Sequence, residues 1–202
     1  CAEAGGVAAD VTAITRQAIG GGIEFAEALR PRVALLEGLD VAEVERIARE
    51  VRLTPGARTL VRTLKRMGMR TAIVSGGFTH VTDFLAAELG VDHSAANALE
   101  VADGKLTGRL VGDIVDRPGK ARILQEIATR EGIPLEQVVA VGDGANDLDM
   151  LAVAGLGIAF NARSAVREKA DVALNVPYLD ALLFLLGIPR KEVEGEEVGP
   201  VP

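Results

Sequence analysis

Apolar positions in the first fifty residues recur at intervals of three and four, the repeat of amphipathic helices. Val7, Val11, Ile14 and Ile19 mark a first helix, which Gly20, Gly21 and Gly22 break. Phe25, Leu29, Val33 and Leu36 mark a second, with Pro31 placed to bend it. A third is expected after Asp40, a good N-cap, and runs through Glu50. Strand signals are absent here, so this part reads as a small helical unit. From Thr54 the texture changes. Pro55 opens a helix to about Met67, and Arg70-Thr-Ala-Ile-Val reads as a strand ending at Ser75-Gly76-Gly77, followed by a helix to about Leu89. Leu99-Glu-Val-Ala and Lys105-Leu-Thr-Gly-Arg-Leu flank Asp103-Gly104, a hairpin turn signal.

Next come a helix from Lys120, an apolar strand from Val138 with its own helix, a strand near Leu156–Ala159, another helix, a strand at Val172–Leu174 and a last helix at Leu179–Leu186. Strands alternating with helices predict an α/β fold with a doubly wound parallel sheet. The expected division is a helical unit over 1–53, an α/β core over 54–190 with a hairpin near 98–110, and a disordered acidic tail over 191–202.

Composition narrows the function classes. The 202 residues give room for one α/β domain and a small accessory unit. A net charge of −7 with no basic cluster argues against nucleic acid or an anionic membrane as partner. Cys1 is the only cysteine, which excludes a disulfide framework or thiolate metal site and suits a cytoplasmic setting. The longest apolar run, Ala181 to Ile188, is too short to span a bilayer. Nothing at the start resembles a signal peptide, and a chain beginning with Cys rather than Met is expected to be a piece of a longer one.

Chemistry concentrates in Val138 to Leu151, VVAVGDGANDLDML. An apolar strand stops at Gly142, Asp143 and Asp147 follow four residues apart, and a helix begins. Ligands of open α/β sheets sit at the carboxyl ends of strands. Two carboxylates there repel each other unless a cation lies between them, and Mg²⁺ suits such oxygen donors and a substrate phosphate together. The plainer account is that Asp143 ends a strand and Asp147 caps a helix; Asp149 adds a third acid. Gly142-x-Gly144 lacks the third glycine of a dinucleotide loop.

Ser75-Gly76-Gly77 offers amide donors and a hydroxyl to an anion, although the same string alone is a serine N-cap with turn glycines. Lys120, in the Asp116-Arg-Pro-Gly-Lys string, stands in the first turn of a helix, against the macrodipole, a penalty of ~0.3–1 kcal/mol. It serves either an anion or the solvent. Arg32, beside Phe25 in the helical unit, suits a carboxylate or the solvent equally. His80 reads as a helix-surface residue, His93 lacks a partner at metal-ligand or triad spacing, and Tyr178 reads as a core or interface residue.

IVSGGF, DRPGK and VGDGANDLDM, in this order and spacing, resemble the later three motifs of the haloacid dehalogenase-like phosphatases. IEFAEALRPRVALLEGL resembles the cap segment of the family's phosphoserine phosphatase branch, and the likeness runs from about Val7 to Gly187. The resemblance implies Mg²⁺-dependent hydrolysis of O-phospho-L-serine through an aspartyl-phosphate, in serine biosynthesis. It implies that Asp143 binds the metal and Asp147 supports the metal and its waters. Asn146 would contact the phosphate or a metal-bound water. Ser75 and Gly76 would bind phosphate, and Lys120 would neutralise phosphate and nucleophile together. Phe25 and Arg32 would pack on the substrate and bind its carboxylate from the cap, with Ile19 standing where methionine is frequent.

One motif of the resemblance is missing. The family's apolar strand ending in Asp-x-Asp-x-Thr, whose first aspartate attacks phosphorus and whose second is the general acid and base, is not in this sequence. Asp10-Val-Thr is the nearest string and lacks the second acid. A nucleophile upstream of Cys1, and inactivity of these residues alone, are therefore expected. Two alternatives stay open: a related phosphatase for another small phosphate ester, and a non-catalytic phosphate-binding protein. The oligomeric state is not specified.

Overall fold

The computed structural model describes residues 25–194. The expected first helix, Gly20–Gly22, Asp10 and Ile19 lie outside the described residues. Two helices open the described chain, α1 (Phe25–Ala34) and α2 (Val41–Glu50). Pro31 lies inside α1, and Leu36, expected on that helix, falls in the turn beyond it. Asp40 caps α2 by accepting from Ala42 N at 2.9 Å. Val44 and Ala48, one turn apart, form its buried face.

Then come α3 (Ala57–Arg66), β1 (Ala72–Phe78), α4 (Thr79–Leu89), β2 (His93–Ala102) and β3 (Lys105–Val111). They are followed by α5 (Arg117–Glu131), β4 (Val139–Gly142), α6 (Leu148–Val153), β5 (Leu156–Phe160), α7 (Ser164–Arg167), β6 (Val172–Leu174), α8 (Ala181–Leu185) and α9 (Arg190–Glu194). Among the described residues no helix is long and apolar enough to cross a membrane.

The strands form two groups of three. In one, β4, β5 and β6 are all parallel, in that order. In the other, the first half of β2 pairs parallel with β1 and its second half pairs antiparallel with β3. Asp103 and Gly104 close that hairpin at φ 51° and 75°, the left-handed pair that a two-residue turn requires. Among the described residues β1 and β4 each keep one unpaired edge. Both strands rest on α5: Val74 of β1 packs against the cluster of Ala140 from β4, Leu124 from α5 and Leu151 from α6.

A second cluster joins Leu29, Val33 and Val44 of the helical segment to Leu99 and Leu106 of the hairpin. Backbone bonds tie the same parts, with Val41 N donating to Gly104 O at 3.0 Å and Leu106 N to Leu39 O at 2.8 Å. The third cluster sits under β5 and contains Leu60, Ile158, Leu182, Leu183, Ile188 and Val193.

Several expectations need correcting. β1 does not stop at Ser75; it resumes pairing at Phe78 after an irregularity. Residues 191–194 are not a disordered tail, because α9 covers them and Val193 is 8% exposed against Leu60 and Ile158; residues 195–202 lie outside the described residues. Tyr178 is not core, being 59% exposed. His80 is half-buried with a buried Nδ1, not a surface histidine. His93, without a partner at metal-ligand or triad spacing, meets Glu131 instead: its Nε2 lies 2.9 Å from Glu131 Oε1, and Arg70 Nε bonds the other oxygen of Glu131 at 2.9 Å.

Candidate active site

β4 ends at Gly142 because the chain turns sharply there, and the turn leaves no room for a side chain. A Cβ on Gly142 would sit 2.5 Å from Asp147 Cβ. Asp147 closes the short helical turn Ala145–Asp147 and folds back under the strand end. Its Oδ2 accepts from Asp143 N at 3.1 Å and Gly144 N at 3.0 Å. Its Oδ1 accepts from Lys120 Nζ at 2.6 Å. Asp147 is 5% and Lys120 6% exposed, so this is a buried ion pair with further hydrogen bonds on the carboxylate, the arrangement that offsets desolvation. Asp147 is thus no cap of the α6 amides, and Lys120 is not a solvated surface lysine.

Lys120 reaches Asp147 because α5 starts earlier than expected, at Arg117, with Asp116 as N-cap accepting from Gly119 N at 2.8 Å. Pro118 fits the first turn, where no amide partner is needed. Arg117 binds Asp149 through Nε at 2.7 Å and Nη2 at 2.5 Å, locking the start of α5 to α6. Asp149, counted with the acids of the motif, is committed to that pair. Asp143 is exposed at the strand end, and Asn146 is half-buried beside Gly144, where a Cβ would collide with its Oδ1.

The second wall comes from β1. From Val74↔Ala95 to Phe78↔Asn97, β1 advances four residues while β2 advances two, so Ser75, Gly76 and Gly77 bulge from the ladder. Bulges of this kind gather next to active sites, where they re-aim side chains. Ser75 Oγ accepts from Gly77 N at 3.0 Å. Ser75 is therefore no helix cap, and α4 begins four residues later at Thr79. Phe25 covers the bulge: a Cβ on Gly76 would lie 3.1 Å from Phe25 Cζ. Arg32 sits 5.9 Å over the Phe25 ring, and its Nε donates to Ala28 O at 3.0 Å. Burial holds the Arg32 guanidinium below its usual pKa, still far above neutrality.

Phe25, Arg32 and Gly76 thus meet, and Lys120, Asp147 and the Asp143 amide meet. Val115, at the foot of α5, links the two groups, since its carbonyl would lie 3.5 Å from a Cβ on Gly76. Sequence reasoning passed over Asn97, which bonds the bulge and Val115 together and is 1% exposed. Its signal was an amide in the otherwise apolar string Ala95-Ala-Asn-Ala-Leu of a strand. Among the described residues no three of His, Cys, Asp and Glu converge as a closed metal cage. The donors at the end of β4 suit instead a hard cation held by one or two carboxylates and completed by water and phosphate, as Mg²⁺ is.

The family model of haloacid dehalogenase-like hydrolases matches residues 4–152. A phosphoserine phosphatase of Streptomyces coelicolor is 58% identical over 188 residues, which is 93% of this chain and 46% of that protein. The chain thus spans about half the length of that relative. A phosphoserine phosphatase of Idiomarina loihiensis is 48% identical over 95% of this chain and 84% of its own length. Among solved structures, a substrate-bound phosphoserine phosphatase complex superposes with a TM-score of 0.83 at 42% identity, over 91% of this chain and 88% of that one. Motif order, sheet architecture and these relatives agree, and the chain belongs to the haloacid dehalogenase-like hydrolases, in the branch of the phosphoserine phosphatases.

Proposed function

We propose that the protein hydrolyses a phosphomonoester, O-phospho-L-serine, to L-serine and phosphate. The observation that carries this reading is the buried Lys120–Asp147 pair at the end of β4, its lysine on the helix whose entering residue Val115 approaches the Gly76 bulge. Ser75 Oγ and the Gly76 amide bind the phosphate oxygens, and Lys120 neutralises the phosphate and the attacking carboxylate together. Asp143, with Asp147 behind it and Asn146 beside it, would hold Mg²⁺, which when bound neutralises charge on the phosphoryl oxygens. Phe25 packs on the serine portion and Arg32 binds its carboxylate, so the helical segment over 25–50 acts as the cap that excludes water.

The nucleophile in this reading is the first aspartate of the Asp-x-Asp-x-Thr motif, which is not among these 202 residues; its strand would lie between the unpaired edges of β1 and β4. Its oxygen forms a bond to phosphorus as the ester O–P bond breaks, and the leaving serine oxygen takes a proton from the motif's second aspartate, which the hydrolytic water later restores. Water then cleaves the aspartyl-phosphate. Two displacements replace one hard one, which is ordinary covalent catalysis. A place in serine biosynthesis and a cytoplasmic location go with this reading.

The test compares phosphate release from O-phospho-L-serine and from 4-nitrophenyl phosphate by the full-length protein that carries the Asp-x-Asp-x-Thr motif and by its Arg32→Ala variant. Loss of a charge-assisted contact worth ~1.5–3 kcal/mol should cost phosphoserine turnover roughly tenfold to a hundredfold in kcat/KM and spare the aryl ester. Equal loss on both substrates would remove the phosphoserine assignment and leave the phosphatase of another small ester. Turnover that persists after chelation of all divalent cations would remove the metal role of Asp143.

A further inference from the structure

Asn97 is buried at 1% exposure in the middle of β2 and spends its amide on three backbone groups. Its Nδ2 donates to Gly76 O at 2.9 Å and Gly77 O at 3.2 Å, and its Oδ1 accepts from Val115 N at 2.8 Å. Both donors of the primary amide are thereby used, along with one lone pair of its oxygen. The first two bonds hold the bulge that carries Ser75, and the third holds the segment that enters α5 one residue before its cap Asp116. We propose that Asn97 is a positioning residue for the phosphate site, orienting the Ser75 hydroxyl through the Gly76–Gly77 peptide and fixing the start of the Lys120 helix through Val115. This rests on the reading that Ser75 and Lys120 hold phosphate.

The relay follows from peptide geometry. In a trans peptide the C=O and the next N–H point in opposite directions. With Gly76 O turned onto Asn97, the Gly77 N–H is turned away from it and donates to Ser75 Oγ at 3.0 Å. Ser75 then uses a lone pair toward Gly77 and keeps its own proton to donate to an anion. Successive hydrogen bonds polarise one another, so the Asn97 bond strengthens the donor character of that hydroxyl. The contact with Val115 ties this wall to the helix bearing Lys120, so one amide sets the spacing of both arms.

Asn97→Asp separates the two roles. A carboxylate can still accept from Val115 N but places an oxygen against the carbonyls of Gly76 and Gly77. The experiment measures kcat, KM and the competitive inhibition constant of inorganic phosphate for the full-length protein that carries the Asp-x-Asp-x-Thr motif and for its S75A, N97D and double variants, with thermal melts on each. N97D should weaken phosphate inhibition and lower kcat by tenfold or more. The same substitution in the S75A background should add less than about twofold, because its route through Ser75 is already gone. A folded N97D with unchanged phosphate inhibition, or with its full effect in the S75A background, would overturn the inference alone. S75A with unchanged phosphate inhibition would overturn the inference together with the phosphate-binding reading beneath it. Where N97D does not fold, Asn97→Ser, which is smaller and uncharged, runs through the same cycle, and the same outcomes support or overturn the inference.

Discussion

Asp147 carries three hydrogen bonds on two oxygens while only 5% exposed, so it cannot exchange partners without leaving a charge stranded. Its worth to the molecule is therefore conditional on Lys120. Lys120→Met keeps most of the stem volume and removes the cation. Breaking a buried pair in this way costs ~3–5 kcal/mol, which for a chain of this size lowers Tm by on the order of 10 °C. Circular dichroism melts check this, and the paired change Lys120→Met with Asp147→Asn should recover part of the loss without recovering turnover. A melt for Lys120→Met within about 2 °C of the parent would show that the pair is not the buried anchor described. Arg117 and Asp149 form a different kind of pair: two guanidinium nitrogens share one carboxylate oxygen, and at 46% and 38% exposed it orients two helices more than it stabilises them.

At the scale of elements, much was legible because local chemistry and global fold agree. The Asp40 cap, the Asp103-Gly104 turn and the strand at Val172–Leu174 were all readable, since each depends on neighbours in sequence. The bulge of β1 was not, because its glycines signal a stop and only pairing with β2 shows that the strand resumes at Phe78. Nor was the burial of Lys120, which depends on an aspartate 27 residues away. Acidic residues followed by Gly and Pro made 191–194 look disordered; the apolar Val193 and a docking site on Leu60 decided otherwise.

The start of β2 makes a pH prediction. Partial burial pushes the Asp92 carboxyl upward, but bonds from Thr71 N and Oγ1, both 2.8 Å, and the charges of Lys65 and Arg70 outweigh it and hold it below its ordinary value of 3.8. A depressed carboxyl contributes stability that is present above its unfolded value and lost as pH falls through its folded value. Asp92→Asn should therefore lower Tm at pH 7, with the gap from the parent closing below about pH 4. A gap that stays constant to pH 3 would contradict this.

Across the whole molecule, three cores are stitched by helices. α5 and α6 together join β1 and β4 in one cluster, and α9 adds Val193 to the cluster beneath β5. The guanidinium of Arg66 on α3 holds the carbonyl of Glu192 on α9, so the last helix is latched to the body. Val193→Asp would place a carboxylate against Leu60 and Ile158, and its desolvation should lower Tm by several degrees more than Val193→Ala. Equal melts for the two would mean that α9 is not docked in solution. The unpaired edges of β1 and β4 are where the molecule most needs a neighbour, since open edges recruit strands indiscriminately. Phe25 resting on Gly76 has a practical consequence of another kind. These 202 residues contain no tryptophan, and their one tyrosine, Tyr178, stands far out in solvent. An indole installed at position 25 would be the sole strong emitter among them, seated against the Gly76 bulge, and its colour and quenching would report in real time whether the helical segment is down.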